Sequence, residues 1–281
     1  MMVALPPLRT VIAQHGLDPV KGLGQHFLLD GNITAKIARH AGYLSGHTVF
    51  EIGPGPGGLT RALLGTPAER ILAIERDHRC IAALQELAAA ATGRLEIIEA
   101  DATALNLPDL AGPPRAIVAN LPYNVGTVLL LKWLSEADAY SAMTLMFQRE
   151  VAERLAAQPG SKAYGRLSVI AQWRCAVSLC FHLPPRAFTP PPKVSSSVIR
   201  LEPRPLAADA APFWAMEAVT AAAFGQRRKM LKTSLKVLGG AAELLDAAGI
   251  EPAARAEAVP VSGYERLPRH HAARAPPAAA P

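Results

Sequence analysis

Apolar residues at Ile33, Ile37 and Ala41 recur at helical spacing and predict a helix over 32–41. Beyond it the pattern alternates. Short apolar runs at 48–52, 71–75, 95–99, 116–119 and 143–147 read as strands. Helical spacing follows the first of them through Leu64, opens again at His78, and returns over 127–134. Strands that alternate with helices predict a parallel sheet covered on both faces, an α/β fold.

Near residue 183 the texture changes. Residues 183–192 hold five prolines and cannot form the interior of a regular element. Residues 195–201 alternate like an edge strand, and after Pro203 and Pro205 the pattern is helical only, from about 212 to 248. These shifts predict a first domain over 1–204 and a helical domain over 205–270. A disordered tail is expected over 271–281, where Ala, Arg and Pro alone follow His271. Residues 1–20, with three prolines and no periodicity, read as a loose leader.

Composition fits that organisation. With 281 residues, half of them apolar, the chain can fill one large core and one small one. The formal charge of +6 leans toward a polyanionic partner. Three cysteines without a CxxC pair argue against a disulfide framework or a zinc site and fit a reducing cytoplasm. No run approaches the roughly 18 apolar residues of a membrane span, and no signal peptide is recognisable. A cytoplasmic protein with no metal and no membrane partner is therefore expected.

The first candidate chemistry is Glu51-Ile52-Gly53-Pro54-Gly55-Pro56-Gly57-Gly58, between a predicted strand and a predicted helix. Glycines there let the backbone turn sharply and approach a ligand closely. Glu75, at the end of the next strand, suits a carboxylate that accepts bonds from ribose hydroxyls, in NAD or in S-adenosylmethionine. The acidic residue before the loop and its two prolines favour S-adenosylmethionine. No residue set for hydride transfer accompanies them. Asp101, after the third strand, is either a turn residue or an acceptor for the donor's adenine amine. Its place on the same sheet edge as Gly53 and Glu75 favours the second reading.

Asn120-Leu121-Pro122-Tyr123 follows the fourth strand. Alone it would be a turn. At the edge of a donor-binding sheet, the Asn120 side-chain oxygen and the Leu121 carbonyl can accept hydrogen bonds from an adenine N6 amine. They would draw its nitrogen toward sp3 and aim it at the methyl group. Tyr123 can stack on a flipped-out base. Phe188, in the proline-rich loop, is either the second wall of that site or a core anchor.

These segments resemble the bacterial small-subunit ribosomal RNA adenine dimethyltransferases. So do Gly24–Leu28, Gln148–Val151, Ser161-Lys162-Ala163-Tyr164-Gly165-Arg166-Leu167-Ser168, Phe188–Val194 and Phe224–Lys229, in family order from about 23 to 257. The resemblance implies a Rossmann-like class I methyltransferase domain with a small all-helical carboxy-terminal domain. It implies dimethylation of two adjacent adenosines near the 3′ end of the small-subunit RNA, within an assembling 30S subunit, by a monomer. Gln25, His26, Leu28, Gly53, Gly55, Glu75, Asp101 and Asn120 are then donor contacts, and Asn120, Leu121, Pro122, Tyr123 and Phe188 form the adenine site. The sequence departs from the family at His26, where Asn is common, and at Pro268-Arg269-His270-His271, which should interrupt the last helix.

Arg227, Arg228, Lys229, Lys232 and Lys236 occur with no acid between Glu217 and Glu243. Spacing of four places Arg228, Lys232 and Lys236 on one helix face. Such a face is either solvated or, with RNA as substrate, a phosphate-contacting surface. Rival readings are an adenine methyltransferase of large-subunit RNA or DNA, and a catalytically silent assembly factor. The serine-to-serine stretch 161–168 and the basic segment argue against the first, and the intact Gly53, Glu75, Asp101 and Asn120 set against the second.

Overall fold

The computed structural model describes residues 5–20, 22 and 24–274, and they form two compact units. The first comprises the residues up to Ala152 together with Ser178–Pro203; the second comprises Glu153–Val177 together with the residues from Arg204 onward. The chain therefore passes between units three times rather than once at 204.

In the first unit, helix α1 (Leu8–Gln14) precedes strand β1 (Phe27–Leu28) and helix α2 (Gly31–His40). The loose leader expected over 1–20 is thus corrected. Val11 and Leu17 pack with Cys80, Ala83 and Leu84 in a local core, and that burial anchors α1 where its own spacing gave no signal. Asp30 caps α2, its side chain accepting from the Asn32 amide at 2.8 Å.

The βα alternation follows: β2 (Thr48–Ile52), α3 (Gly58–Leu64), β3 (Arg70–Glu75), α4 (His78–Ala90), β4 (Leu95–Glu99), β5 (Arg115–Asn120), α5 (Gly126–Ser135) and β6 (Ala142–Gln148). After α6 (Arg149–Leu155) and α7 (Arg166–Arg174) come β7 (Cys175–Leu183), β8 (Phe188–Thr189) and β9 (Ser196–Pro203). Seven strands make one sheet in the order β4-β3-β2-β5-β6-β9-β7, and β1 pairs separately with β8. The pairings from β4 through β6 are parallel, and β9 runs antiparallel to β6. The chain builds outward from β2 to one side, then returns to lay β5 on the other. That reversal opens a crevice at the carboxyl ends of β2 and β5, where such sheets bind ligands.

Strand β9 is not the edge expected from its alternation. It lies between β6 and β7 and is buried over most of its length, while β7 takes the edge. Strands β2, β3, β5 and β6 are buried along nearly every residue, which is why they read as apolar runs.

The second unit is helical: α7, then α8 (Phe213–Gly225), α9 (Leu231–Ser234), α10 (Ala241–Ala247) and α11 (Val261–Arg274). An aromatic cluster centres it. Phe224 stacks on Tyr264 at 5.7 Å and meets Tyr164 edge-on at 6.1 Å, and the Tyr164 hydroxyl donates to the Val259 carbonyl at 3.0 Å. Pro268 lies inside α11 without interrupting it, contrary to expectation. Buried Tyr264 and Leu267 hold the turns before it, and one missing N–H does not outweigh that packing. Residues 271–274 of the expected tail belong to this helix, and 275–281 lie outside the described residues. No helix among the described residues is long and apolar enough to cross a membrane.

Candidate active site

The crevice is a cavity formed by the carboxyl ends of β2, β3 and β5 and by the segment around β1. Gly53 and Gly55, just past β2, both have positive φ, at +66° and +55°, a region that excludes most side chains. A Cβ on Gly55 would also lie 3.2 Å from the Phe27 ring. The Gly55 amide donates to Glu75 Oε2 at 2.8 Å, and the Asp77 amide donates to Glu75 Oε1 at 2.8 Å. Each carboxylate oxygen keeps further acceptor capacity. Burial pushes the Glu75 carboxyl above its ordinary range, and the bonds from Asp77, Gly55 and Arg76 oppose that shift.

Asp77 fixes the approach to this carboxylate. It caps α4, binds the Arg79 guanidinium at 2.6 Å, and accepts from Gln25 Nε2 at 2.8 Å. The bonds from Arg79 hold its own carboxyl below the usual range. Gln25 also accepts from the Val20 amide at 3.0 Å. Its side chain thus ties the β1 segment to α4, on the cavity wall.

Glu51 is 1 % exposed, and neither of its carboxylate oxygens completes a hydrogen bond. The buried Thr60 hydroxyl beside it is equally unpartnered. Burial, reinforced by the like charge of Glu75, pushes the Glu51 carboxyl up to about 8. This group lines the cavity. Read from the sequence it marked only a motif; in the structure it is an unneutralised acid facing a ligand site.

At the end of β5, Asn120 Nδ2 donates to the His26 carbonyl at 3.3 Å, which leaves its Oδ1 as the acceptor open to a ligand. Leu121, Pro122 and Tyr123 line the same cavity. The Tyr123 hydroxyl is 2.7 Å from Ser196 Oγ, and its ring lies 5.7 Å from that of His26 at 33°. Of the sequence candidates, the structure gathers Gln25, His26, Leu28, Gly53, Gly55, Glu75 and Asn120–Tyr123 into one cavity.

Two candidates stand elsewhere. Asp101 is not on the cavity wall. Its Oδ1 accepts from the Thr103 amide at 2.9 Å and from the Thr103 hydroxyl at 2.7 Å, and Arg76 lies 3.3 Å from Oδ2. Those Thr103 bonds hold its carboxyl below the usual range, as in an ordinary Asx turn. Phe188 is 3 % exposed and packs in the core with Leu28, Ile37 and Val198. Its pairing with Leu28 across β1 and β8 turns the ring inward, so it is a core anchor and not the second wall of the cavity.

The basic run does not share one helix face. Arg227 and Arg228 lie in the turn after α8, Lys232 is on α9, and Lys236 is on a short 3-10 turn. Arg227 pairs with Glu257 at 2.7 Å and reaches the Ser161 carbonyl. Arg228, Lys229, Lys232 and Lys236 are exposed.

The family model for ribosomal RNA adenine dimethylase matches residues 20–268. The chain is 58 % identical over 265 residues to the ribosomal RNA small subunit methyltransferase A of Rhodospirillum rubrum, covering 94 % of this chain and 92 % of the relative. The crystal structure of a dimethyladenosine transferase from Plasmodium falciparum superimposes with a TM-score of 0.74 at 25 % identity, covering 86 % of this chain and 96 % of that one. The 23S rRNA methyltransferase ErmE gives 0.65 at 26 %, covering 87 % and 98 %.

Proposed function

The chain belongs to the ribosomal RNA adenine dimethylase family, and from that premise we propose how its residues dimethylate adenine N6 in small-subunit ribosomal RNA with S-adenosylmethionine as donor. The observation that carries the reading is the convergence of the Gly53–Gly55 turn, Glu75 and Asn120 on one cavity at the reversal between β2 and β5. The donor supplies an electrophilic methyl group on a positively charged sulfur. The residues present fit it: Glu51 is a buried acid without a partner, and a cationic ligand gives it one. Glu75, oriented by two backbone amides, receives the ribose hydroxyls. Gly53 and Gly55 allow the close approach, and Gln25 holds the β1 segment over them.

The adenine occupies the Asn120 side of the cavity. Asn120 Oδ1 and the Leu121 carbonyl accept the two amine hydrogens and orient the nitrogen lone pair, a placement made before reaction and therefore cheap in reorganisation. Tyr123 offers its ring to the base, steadied by Ser196. The substrates are two adjacent adenosines near the 3′ end of the small-subunit RNA, met in the assembling 30S subunit by a cytoplasmic monomer. Arg228, Lys229, Lys232 and Lys236 contact its phosphates. Transfer of labelled methyl from the donor to unmodified small subunits, followed by nucleoside identification, tests this. The expected product is N6,N6-dimethyladenosine at neighbouring positions. Label entering only large-subunit RNA or DNA contradicts it.

A further inference from the structure

His26 has a ring nitrogen to which the reading above gives no task. It immediately precedes β1, and its Nδ1 lies 2.7 Å from the Pro190 carbonyl oxygen. A carbonyl only accepts, so Nδ1 carries the hydrogen and the lone pair of the neutral imidazole is on Nε2. The His26 carbonyl in turn accepts from Asn120 Nδ2 at 3.3 Å, and its ring lies against that of Tyr123. All three residues line the cavity. The group that grips the amine, the ring that takes the base and the imidazole are therefore held together.

From this geometry we infer that His26 Nε2 is the proton acceptor for adenine N6, an assignment that rests on the adenine site proposed above. Methyl transfer forms the N6–C bond and breaks the S–C bond, whose electron pair stays on sulfur. The N6–H bond then breaks, its pair returns to nitrogen, and the proton passes to Nε2. Asn120 and the Leu121 carbonyl accept hydrogen bonds but are not bases at neutral pH, and both Glu75 oxygens are held by amides on the donor side. Dimethylation repeats the step on the same nitrogen, so its lone pair must be freed between rounds. His26 is partly exposed, and the imidazolium returns its proton to water.

The charged surroundings are few. Glu51, Glu75 and Arg76 share the cavity, and the proline-rich segment that holds Nδ1 carries Arg186 and Lys193. No ion pair involves His26 among the described residues.

Two measurements test the assignment. Ring-nitrogen NMR of the histidine-labelled protein without donor, assigned by His26→Asn, reads the tautomer directly. The expected signal is Nδ1–H with an unprotonated Nε2, and the opposite tautomer overturns the proposal. Single-turnover transfer at saturating donor is then followed from pH 5.5 to 8.5, with His26→Asn and His26→Gln alongside. The wild type should lose rate as the imidazole protonates. The variants should lack that acid limb and run roughly 10- to 100-fold slower at high pH, toward the low end for general bases because the N6 proton is already acidic. Donor affinity and thermal melts report on folding in both. An acid limb that survives in a folded variant contradicts the role of His26 alone, whereas a wild type that transfers nothing to small subunits contradicts the function beneath it.

Discussion

The backbone amide of Gly55 donates to Oε2 of Glu75 at 2.8 Å, joining the glycine turn after β2 to the carboxylate at the end of β3. Motif and acid, 20 residues apart in the chain, are thus one structural piece. Glu75→Ala removes the ribose acceptor and leaves two loop amides unpaired. Hydrogen bonds to a charged group contribute about 1.5–3 kcal/mol, so the donor Kd should rise roughly 10- to 100-fold. Calorimetric titration measures this, and an unchanged Kd would remove Glu75 from the donor site.

Glu51 predicts a pH signature. Its folded carboxyl is raised to about 8 from an ordinary value of 4.5. Between those values the folded state holds a proton that the unfolded chain has lost. Its contribution to stability is therefore fully present below 4.5 and is lost as pH rises toward about 8. Glu51→Gln, which cannot ionise, should gain in Tm relative to the wild type as pH rises through that window. Donor binding to the wild type at neutral pH should release a proton, visible as buffer-dependent binding enthalpy, and the variant should show none from this group. A pH-independent Tm difference would mean that Glu51 is not protonated in the folded protein.

Phe188 separates a core role from a stacking role. Phe188→Ala should cost about 3–5 kcal/mol of stability, as for other buried aromatic truncations. Phe188→Leu fills most of the space and should keep turnover within several-fold of the wild type. Chemical denaturation and initial rates on the same preparations read both effects. A folded Phe188→Leu enzyme with turnover lost would return the ring to the adenine site.

The exposed cations of the second unit should be felt in salt dependence. Replacing Arg228, Lys232 and Lys236 with Gln should weaken binding to small subunits. Each lost phosphate contact should flatten the log–log slope by roughly 0.7–0.9. Binding titrations at several salt concentrations check this, with donor affinity as control. An unchanged slope would mean that these side chains meet water alone. Arg227, committed to Glu257, should behave differently, and its loss should lower stability first.

Much of the fold was legible because its information is local. Strands buried on both faces show as apolar runs, and the donor turn places its glycines and acid side by side in the chain. What escaped notice depends on partners far along the chain. Gln25 finds Asp77 across 52 residues, and His26 finds Pro190 across 164. The Asp77 cap at the start of α4 was visible as a helix signal, but its grip on the β1 segment was not. Strand β7 is half exposed and broke the apolar pattern that revealed its neighbours. The basic run looked unbalanced only because Glu257 returns to Arg227 from 30 residues away. Phe188 and Asp101 had functional readings by family order, and burial in one case and a two-residue turn in the other decided their places.

The most direct test of the account is Asn120→Ala, assayed for single-turnover methyl transfer to small subunits beside a donor titration. Loss of one oriented contact to the reacting group should cut the rate by about 10²–10³. The donor Kd should stay within a few-fold of the wild type, since Glu51, Glu75 and the glycine turn are untouched. Near-normal turnover, or a donor Kd that falls away in step with the rate, would contradict the assignment of Asn120 to the adenine amine.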